Sequence, residues 1–204
     1  MMSAVVFQAA GLLLSYPDEA LLAQLPLIED AVAEAGAGEL FAPTLAHLRS
    51  MPLMELQSWH VQEFDLSRRH ALHLTYWTDG DTRRRGEVLA AIKQTYRDSG
   101  LVVDLAGELP DFLPMVLEFA AVGHPELGLG LLNTYRASLE LLRIGLEEDK
   151  LPQAGVVAAV CAALGGPSPR TRSELRDLMA GPPSETVGLE PTFLPYPQLQ
   201  GSVR

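Results

Sequence analysis

Apolar residues recur at three- and four-residue steps along most of this chain, and prolines and glycines cut that pattern into short segments. A run with this period buries one face of a helix, and no stretch shows the two-residue alternation of a half-buried strand. Helices that short are marginal alone and must pack on one another. The pattern therefore predicts an all-α, single-domain, multi-helix bundle of roughly seven to nine helices. With 204 residues the chain is long enough for one self-sufficient core, burying about 70% of its unfolded surface.

The punctuation marks out the segments. Val6, Ala9, Ala10 and Leu13 form one face of a first helix that stops at Ser15-Tyr16-Pro17. Asp18 is an N-cap and Glu19 suits the first turn of a helix to about Ala35, closed by Gly36. Pro26 inside it either kinks that helix or starts a second one. Pro43 and Pro52 read as helix starts, opening segments through Arg49 and Phe64. Residues 65–81 do not scan as a clean helix and read largely as an ordered connection. Asp81 or Thr82 caps a long helix ending at Ser99-Gly100, with Val88, Leu89, Ile92 and Tyr96 inward. After a loop from Leu101 to Pro110, Asp111 reads as the cap of a helix through about Val122, with Pro114 near its first turn. His124-Pro125 is a break, and Leu127, Leu131, Tyr135, Leu139, Leu142 and Leu146 mark the most regular helix. Pro152 opens an apolar helix through Leu164, stopped by Gly165-Gly166-Pro167. Residues 1–165 thus read as the body. Residues 166–204, with seven prolines and four glycines, read as an extended C-terminal tail. One short helix is expected there, with Thr171 and Glu174 as a capping box before Leu175, Leu178 and Met179.

Charge and chemistry narrow the function. A net charge of −11 disfavours general binding to nucleic acid or anionic membrane. The apolar run Ala4 to Leu14 has no Lys or Arg before it and is too short to span a bilayer, so it reads as the first amphipathic helix of a soluble protein that does not insert into membranes, while a single cysteine fits a reducing cytoplasm. Cys161 is the single cysteine and lies in an apolar run, which fits a small core residue with an inert thiol. The histidines are His47, His60, His70, His73 and His124. His70 and His73 are three apart, but no third ligand joins them at a recognisable spacing, so no metal site is expected. No nucleophile elbow or phosphate-cradling loop occurs, and no catalytic residue is assigned. Gly128 and Gly130 are explained by close helix packing. Asp111 and Glu118 are seven apart, so both can share a helix face two turns apart, too far for direct proton exchange. Their plain reading is capping for Asp111 and an outward or paired carboxylate for Glu118.

The most unusual feature is an arginine island, Tyr76-Trp77-Thr78-Asp79-Gly80-Asp81-Thr82-Arg83-Arg84-Arg85-Gly86. From Leu66 to Gly86 five arginines face two acids, a local charge of +3 that leaves −14 on the rest of the chain. Successive helical residues point about 100° apart, so three arginines cannot form one flat patch. One is expected to pair with acids inside the bundle while one or two reach outward. The outward ones are either a solvated face, salt-bridged to Asp79 or Asp81, or an anchor for carboxylates or phosphates of a partner.

Three segments carry a family resemblance: Leu12-Leu-Leu-Ser-Tyr-Pro-Asp18, the stretch Phe64 to Gly86, and Glu108-Leu-Pro-Asp-Phe-Leu-Pro-Met-Val-Leu-Glu-Phe119. The chain, from about Phe7 to Leu164, resembles the assembly chaperones of respiratory nitrate reductase, the delta-subunit or NarJ-type proteins of the redox-enzyme maturation chaperones. The resemblance implies a TorD/NarJ-like helical fold and a chaperone that binds the immature catalytic (alpha) subunit, through its N-terminal segment. It implies help with insertion of molybdenum cofactor and iron–sulfur clusters before membrane attachment. No cofactor would be bound permanently, though transient contact with molybdopterin guanine dinucleotide during delivery is implied. The partner-contact residues it assigns are Tyr76, Asp79, Gly80, Asp81, Thr82, Arg83, Arg84 and Arg85 in the middle segment, and Glu108, Asp111, Glu118 and Phe119 in the third. Phe112 stands where the family often has histidine. The competing readings are a helical adaptor or chaperone for another molybdoenzyme or client, and a metal- or nucleotide-dependent hydrolase.

Overall fold

The computed structural model describes residues 2–79, 83–105 and 107–180. These residues form eleven α-helices: α1 (Met2–Leu14), α2 (Glu19–Glu34), α3 (Gly38–Leu48), α4 (Leu53–His60), α5 (Leu74–Asp79), α6 (Arg83–Asp98), α7 (Leu113–Glu118), α8 (Pro125–Thr134), α9 (Arg136–Glu148), α10 (Ala154–Leu164) and α11 (Arg172–Ala180). Two five-residue π-helical turns, Val61–Asp65 and Phe119–Gly123, prolong α4 and α7. The all-α fold read from the sequence is the fold observed. The count exceeds nine because α5 lies in the stretch read as a connection and because the most regular run divides at Tyr135. Just before that division the side chains of Asn133 and Thr134 bond back to the carbonyls of Leu129 and Gly130. Such bonds compete with the helical ladder and weaken it locally.

Helix α1 lies at the centre, packed on α2, α7, the second π turn and α10, while α10 also packs on α3 and α9. Phe7, Leu14, Phe41, Leu117, Leu139 and Leu146 are among the fully buried side chains of this core, each contributing about 1.5 to 3 kcal/mol. Local signals fix several ends as expected. The Asp18 carboxylate accepts from the Leu21 N–H at 2.7 Å, and Gly36, Gly100 and Gly165 take the positive φ that ends a helix.

Pro43 corrects the sequence reading. It is not a helix start but the sixth residue of α3, which begins at Gly38, and α2 likewise runs on through Pro26 as one helix. Pro43 withholds one bond from the Glu39 carbonyl, which belongs to an exposed residue. The early start puts Phe41 in the core and lays the Leu40 carbonyl against α10, where an added Cβ on Gly155 would lie 2.0 Å from it.

The two glycines of α8 differ. A Cβ on Gly128 would fall 2.3 Å from the Ala120 Cα, whereas Gly130 has nothing within 4 Å, so close packing explains only the first.

Beyond α10 the chain folds back on α9. Glu140, buried, accepts from Arg136, Arg143 and Ser168, and Arg143 also donates to the Pro169 carbonyl. Burial would raise the Glu140 pKa, but hydrogen bonds from Arg143, Ser168 and Arg136 hold it below the usual carboxylate range. Thr171 caps α11 through the Glu174 N–H, while the Glu174 carboxylate bonds the N–H of Arg170 and not that of Thr171. Leu175 is buried, the Leu178 side chain lies outside the described residues, and so do residues 181–204.

A pair of glycine substitutions checks this packing. Gly155→Ala should destabilise the fold by about 1 to 3 kcal/mol or more through overpacking against the Leu40 backbone. Gly130→Ala, in open space within a helix, should instead stabilise it by about 0.5 to 1 kcal/mol. Urea titration of both variants reads the difference.

Candidate functional site

The middle and third segments meet side by side. The N–H of Leu74 donates to the Asp111 carbonyl at 3.0 Å and the N–H of Leu113 to the Leu72 carbonyl at 2.8 Å, giving a one-residue antiparallel bridge between His73 and Phe112. The Asp111 carboxylate, with no solvent exposure, closes this joint. Its Oδ2 accepts from the backbone N–H of Thr75 at 3.0 Å and from the Thr75 hydroxyl at 2.6 Å. Its Oδ1 lies 3.2 Å from His73 Nδ1. Arg85 donates through Nε to the Thr75 hydroxyl at 3.0 Å and brings Nη2 to 3.8 Å from the carboxylate. Burial would raise the Asp111 pKa; bonds from His73 and Thr75 outweigh it and hold the carboxyl below its ordinary value.

Asp111 therefore does not cap the helix that follows it, as its position suggested. Phe112 is the N-cap residue of α7 and makes no side-chain cap bond. Asp111 instead serves the first turn of α5, 36 residues earlier in the chain. A cap read from sequence assumes a partner three residues on; here a tertiary contact supplies a better-buried donor pair. Asp111 and Glu118 consequently do not share a face, since Glu118 is exposed.

The arginines divide as the 100° spacing requires. Arg85 points inward, 17% exposed, while Arg84 is 80% exposed with its Nε 3.4 Å from Asp79. Gly80, Asp81 and Thr82, with the Arg83 side chain, lie outside the described residues. His70 and His73 turn to different partners. His70 Nε2 lies 2.9 Å from Asp149 and Nδ1 3.4 Å from Glu63, which ties the connection before α5 to the end of α9. Cys161 is buried, and burial above all pushes its thiol up to about 12.

Two clefts adjoin this joint, and a third continues from the second. A polar cleft of about 300 Å³ is lined by Phe64, Asp65, Ser67, Arg68, His73, Tyr76, Arg85 and Phe112, among others. Phe112, half-buried with its ring 5.5 Å from that of His73, also lines a second cleft of about 230 Å³. There Gln8, Gly11 and Leu12 of α1, with Ser15 just after it, are opposed by Asp104, Leu105, Glu108, Pro114, Met115 and Glu118. Asp104, Met115 and Glu118 continue into a third cleft of about 470 Å³ with Leu101, Val102, Val103, Phe119, Val122 and Gly123. The last two share Asp104, Met115 and Glu118 and form one groove with many apolar lining residues, whose ionisable lining residues are all carboxylates. Among the described residues Glu108 and Glu118 make no ion pair. Val102 is fully exposed and Val122 67% exposed, unusual for apolar side chains that line a groove.

The model of the family described as "Nitrate reductase delta subunit" matches residues 22–152. The chain belongs to that family. Among the delta-subunit relatives, the "Probable nitrate reductase molybdenum cofactor assembly chaperone NarJ" of Bacillus subtilis is 32% identical over 166 residues, covering 78% of this chain and 88% of that one. The "Nitrate reductase-like protein NarX" of Mycobacterium tuberculosis is 45% identical over 159 residues, 77% of this chain but 24% of that protein, so the match spans about a quarter of its length. A putative redox enzyme maturation protein from Archaeoglobus fulgidus shares the fold, with a TM-score of 0.61 at 22% identity over 79% of this chain and 93% of that one. The resemblance carried by the three segments is thus the family shown.

Several groove residues escaped the sequence reading. In the sequence Leu12 and Ser15 signal only a helix end, and Leu101 to Asp104 only a loop. The available signal is the apolar run Leu101-Val102-Val103 directly after the helix-ending Gly100.

Removing Asp111 should unlock the joint. Asp111→Ala should cost about 3 to 5 kcal/mol in denaturant unfolding, as for other broken buried pairs, whereas Arg84→Ala should cost less than about 0.5 kcal/mol. Because the Asp111 pKa is lowered on folding, its contribution is fully present above the unfolded carboxylate value of about 3.9 and is lost as pH falls through the folded value. Asp111→Asn should lack that part of the acid dependence.

Proposed function

We propose that this protein is an assembly chaperone that binds the immature catalytic subunit of a respiratory nitrate reductase in the cytoplasm and holds it while its molybdenum cofactor is inserted, before membrane attachment. Relatives that share most of this chain are named as nitrate reductase molybdenum cofactor assembly chaperones, in Bacillus subtilis and in Escherichia coli. The observation that carries the reading is the apolar, carboxylate-edged groove between α1, the loop after α6, and α7. Such a groove suits the apolar face of an amphipathic helix, and carboxylates along one edge favour Lys or Arg flanking that face. The N-terminal segment of the catalytic subunit is the occupant proposed. The chain itself offers contacts for a folding partner; transient contact with molybdopterin guanine dinucleotide, and assistance to iron–sulfur insertion, belong to the same proposal.

Among the described residues no helix is long and apolar enough to cross a membrane, and no group of three His, Cys, Asp or Glu residues is placed to hold a metal ion. The client, and not this chain, would carry the cofactor to the membrane.

Calorimetric titration with a peptide of the catalytic subunit's N-terminal segment tests the proposal. Binding should saturate, weaken with salt, and fall at least about tenfold in Val102→Asp and in Val122→Asp. Both side chains are exposed, so melting temperatures should hold. Absence of saturable binding, or unchanged affinity in both variants, would remove the groove from the mechanism.

A further inference from the structure

Phe112 lines the polar cleft as well as the groove, and the two linings differ in charge. The groove's ionisable residues are Asp104, Glu108 and Glu118, whereas the polar cleft holds Arg68, Arg85, His73 and Asp65. Arg85 and His73 are committed to the joint, through Thr75 and the Asp111 carboxylate. Arg69, the next residue after Arg68, pairs with Asp149 at 3.0 Å, and the Ser67 hydroxyl already accepts from the Arg69 N–H at 3.2 Å. Two hydrogen-bond donors in the cleft are without a partner among the described residues: the guanidinium of the exposed Arg68 and the hydroxyl of the half-buried Tyr76. The Tyr76 ring is held edge-on to Trp77, with centroids 5.9 Å apart. A chain of net charge −11 offers many carboxylates, yet no described one pairs with Arg68.

We propose that the client surface continues past Phe112 into this cleft, and that the cleft takes one carboxylate side chain of the client, an Asp or a Glu, held by Arg68 and Tyr76. The proposal rests on the groove being the client site. A guanidinium gives a carboxylate one or two charge-assisted hydrogen bonds, and a phenolic O–H adds another, so the two free donors match the two acceptor oxygens. Asp65, exposed on the same lining, repels anions and so favours a singly charged group over a phosphate monoester. The half-buried Phe112 ring, shared by both linings, is the seat for an apolar client residue between them. The client segment then has a direction: its cations meet Glu108 and Glu118, and its acid meets Arg68. Apolar contact alone sets neither register nor direction; complementary charges at two places set both. A segment laid in reverse would put its acid against the groove's carboxylates and its cations against Arg68, and like charges in contact reject it.

Titration calorimetry of the full chain with two peptides tests this: the N-terminal segment of the catalytic subunit, and the same segment with its Asp and Glu residues changed to Asn and Gln. The neutralised segment should bind at least about tenfold more weakly than the native one. Arg68→Ala should weaken the native segment by a similar factor and the neutralised segment by less than about twofold. Tyr76→Phe should weaken the native segment by about threefold or more and again spare the neutralised one. Neither substitution removes a hydrogen bond within the described fold, so melting temperatures should hold. Three results would overturn the proposal: equal affinity for the two segments, native affinity unchanged in Arg68→Ala, or an equal loss of both segments in that variant. Failure of the groove reading looks different. Binding that ignores Val102→Asp and Val122→Asp would remove the groove and this extension together, whereas binding that depends on both but not on Arg68 would remove the extension alone.

Discussion

Burying a carboxylate costs several kcal/mol unless the site returns hydrogen bonds and opposite charge. Asp111 is held on those terms. Thr75 gives it two hydrogen bonds, His73 faces its other oxygen, and Arg85 stands behind the Thr75 hydroxyl. Through Asp111 the residues before α5 are pinned against the residues before α7, α5 obtains the acceptor that its first turn needs, and Arg85 is turned inward while Arg84 remains outside. The position of Phe112 follows, because it is the next residue along the chain and half of the His73 bridge. That ring lines both the carboxylate-lined groove and the cleft that holds Arg68 and Arg85.

The two π-helical turns stand at the far edges of the same region. Val61–Asp65 contributes Phe64 and Asp65 to the polar cleft, and Phe119–Gly123 contributes Phe119, Val122 and Gly123 to the groove. A π turn inserts an extra residue per turn and widens the helix, a distortion often found where side chains must be re-aimed. Here each turn holds one phenylalanine in the core, Phe64 and Phe119, and brings Asp65, or Val122 and Gly123, to the cleft. Phe119 packs edge-on against Tyr96, whose hydroxyl bonds the Pro110 carbonyl next to Asp111, so the second turn is braced from the same joint.

What the sequence made legible was whatever local signals govern. The Asp18 cap, the glycines that end α2, α6 and α10, and the His124-Pro125 break all act within a few residues, and each is found where its chemistry puts it. Pro43 and Asp111 were misread for one shared reason. A proline favours a helix start and an aspartate favours a local cap, but burial of Phe41 and a distant pair of Thr75 donors outweighed those preferences. The inward and outward arginines were foreseen from helical geometry, although only tertiary structure could say that Arg85 is the inward one. The groove is hidden in the sequence because about half of its lining comes from α1 with Ser15 and from the loop 101–105, which only tertiary structure brings together. Composition marks residues that carry charge; it does not mark which valines the fold leaves exposed.

The central claim is that the Asp111 joint builds a groove and that a client segment fills it. Hydrogen–deuterium exchange of the full chain, with and without the N-terminal segment of the nitrate reductase catalytic subunit, examines both halves together. The account predicts new protection in residues 8–15, 101–105 and 113–123 on adding the segment, with residues 72–75 already protected in its absence. Protection confined to α2, α4 or α11, with the groove residues unchanged and residues 72–75 exchanging freely, would contradict it.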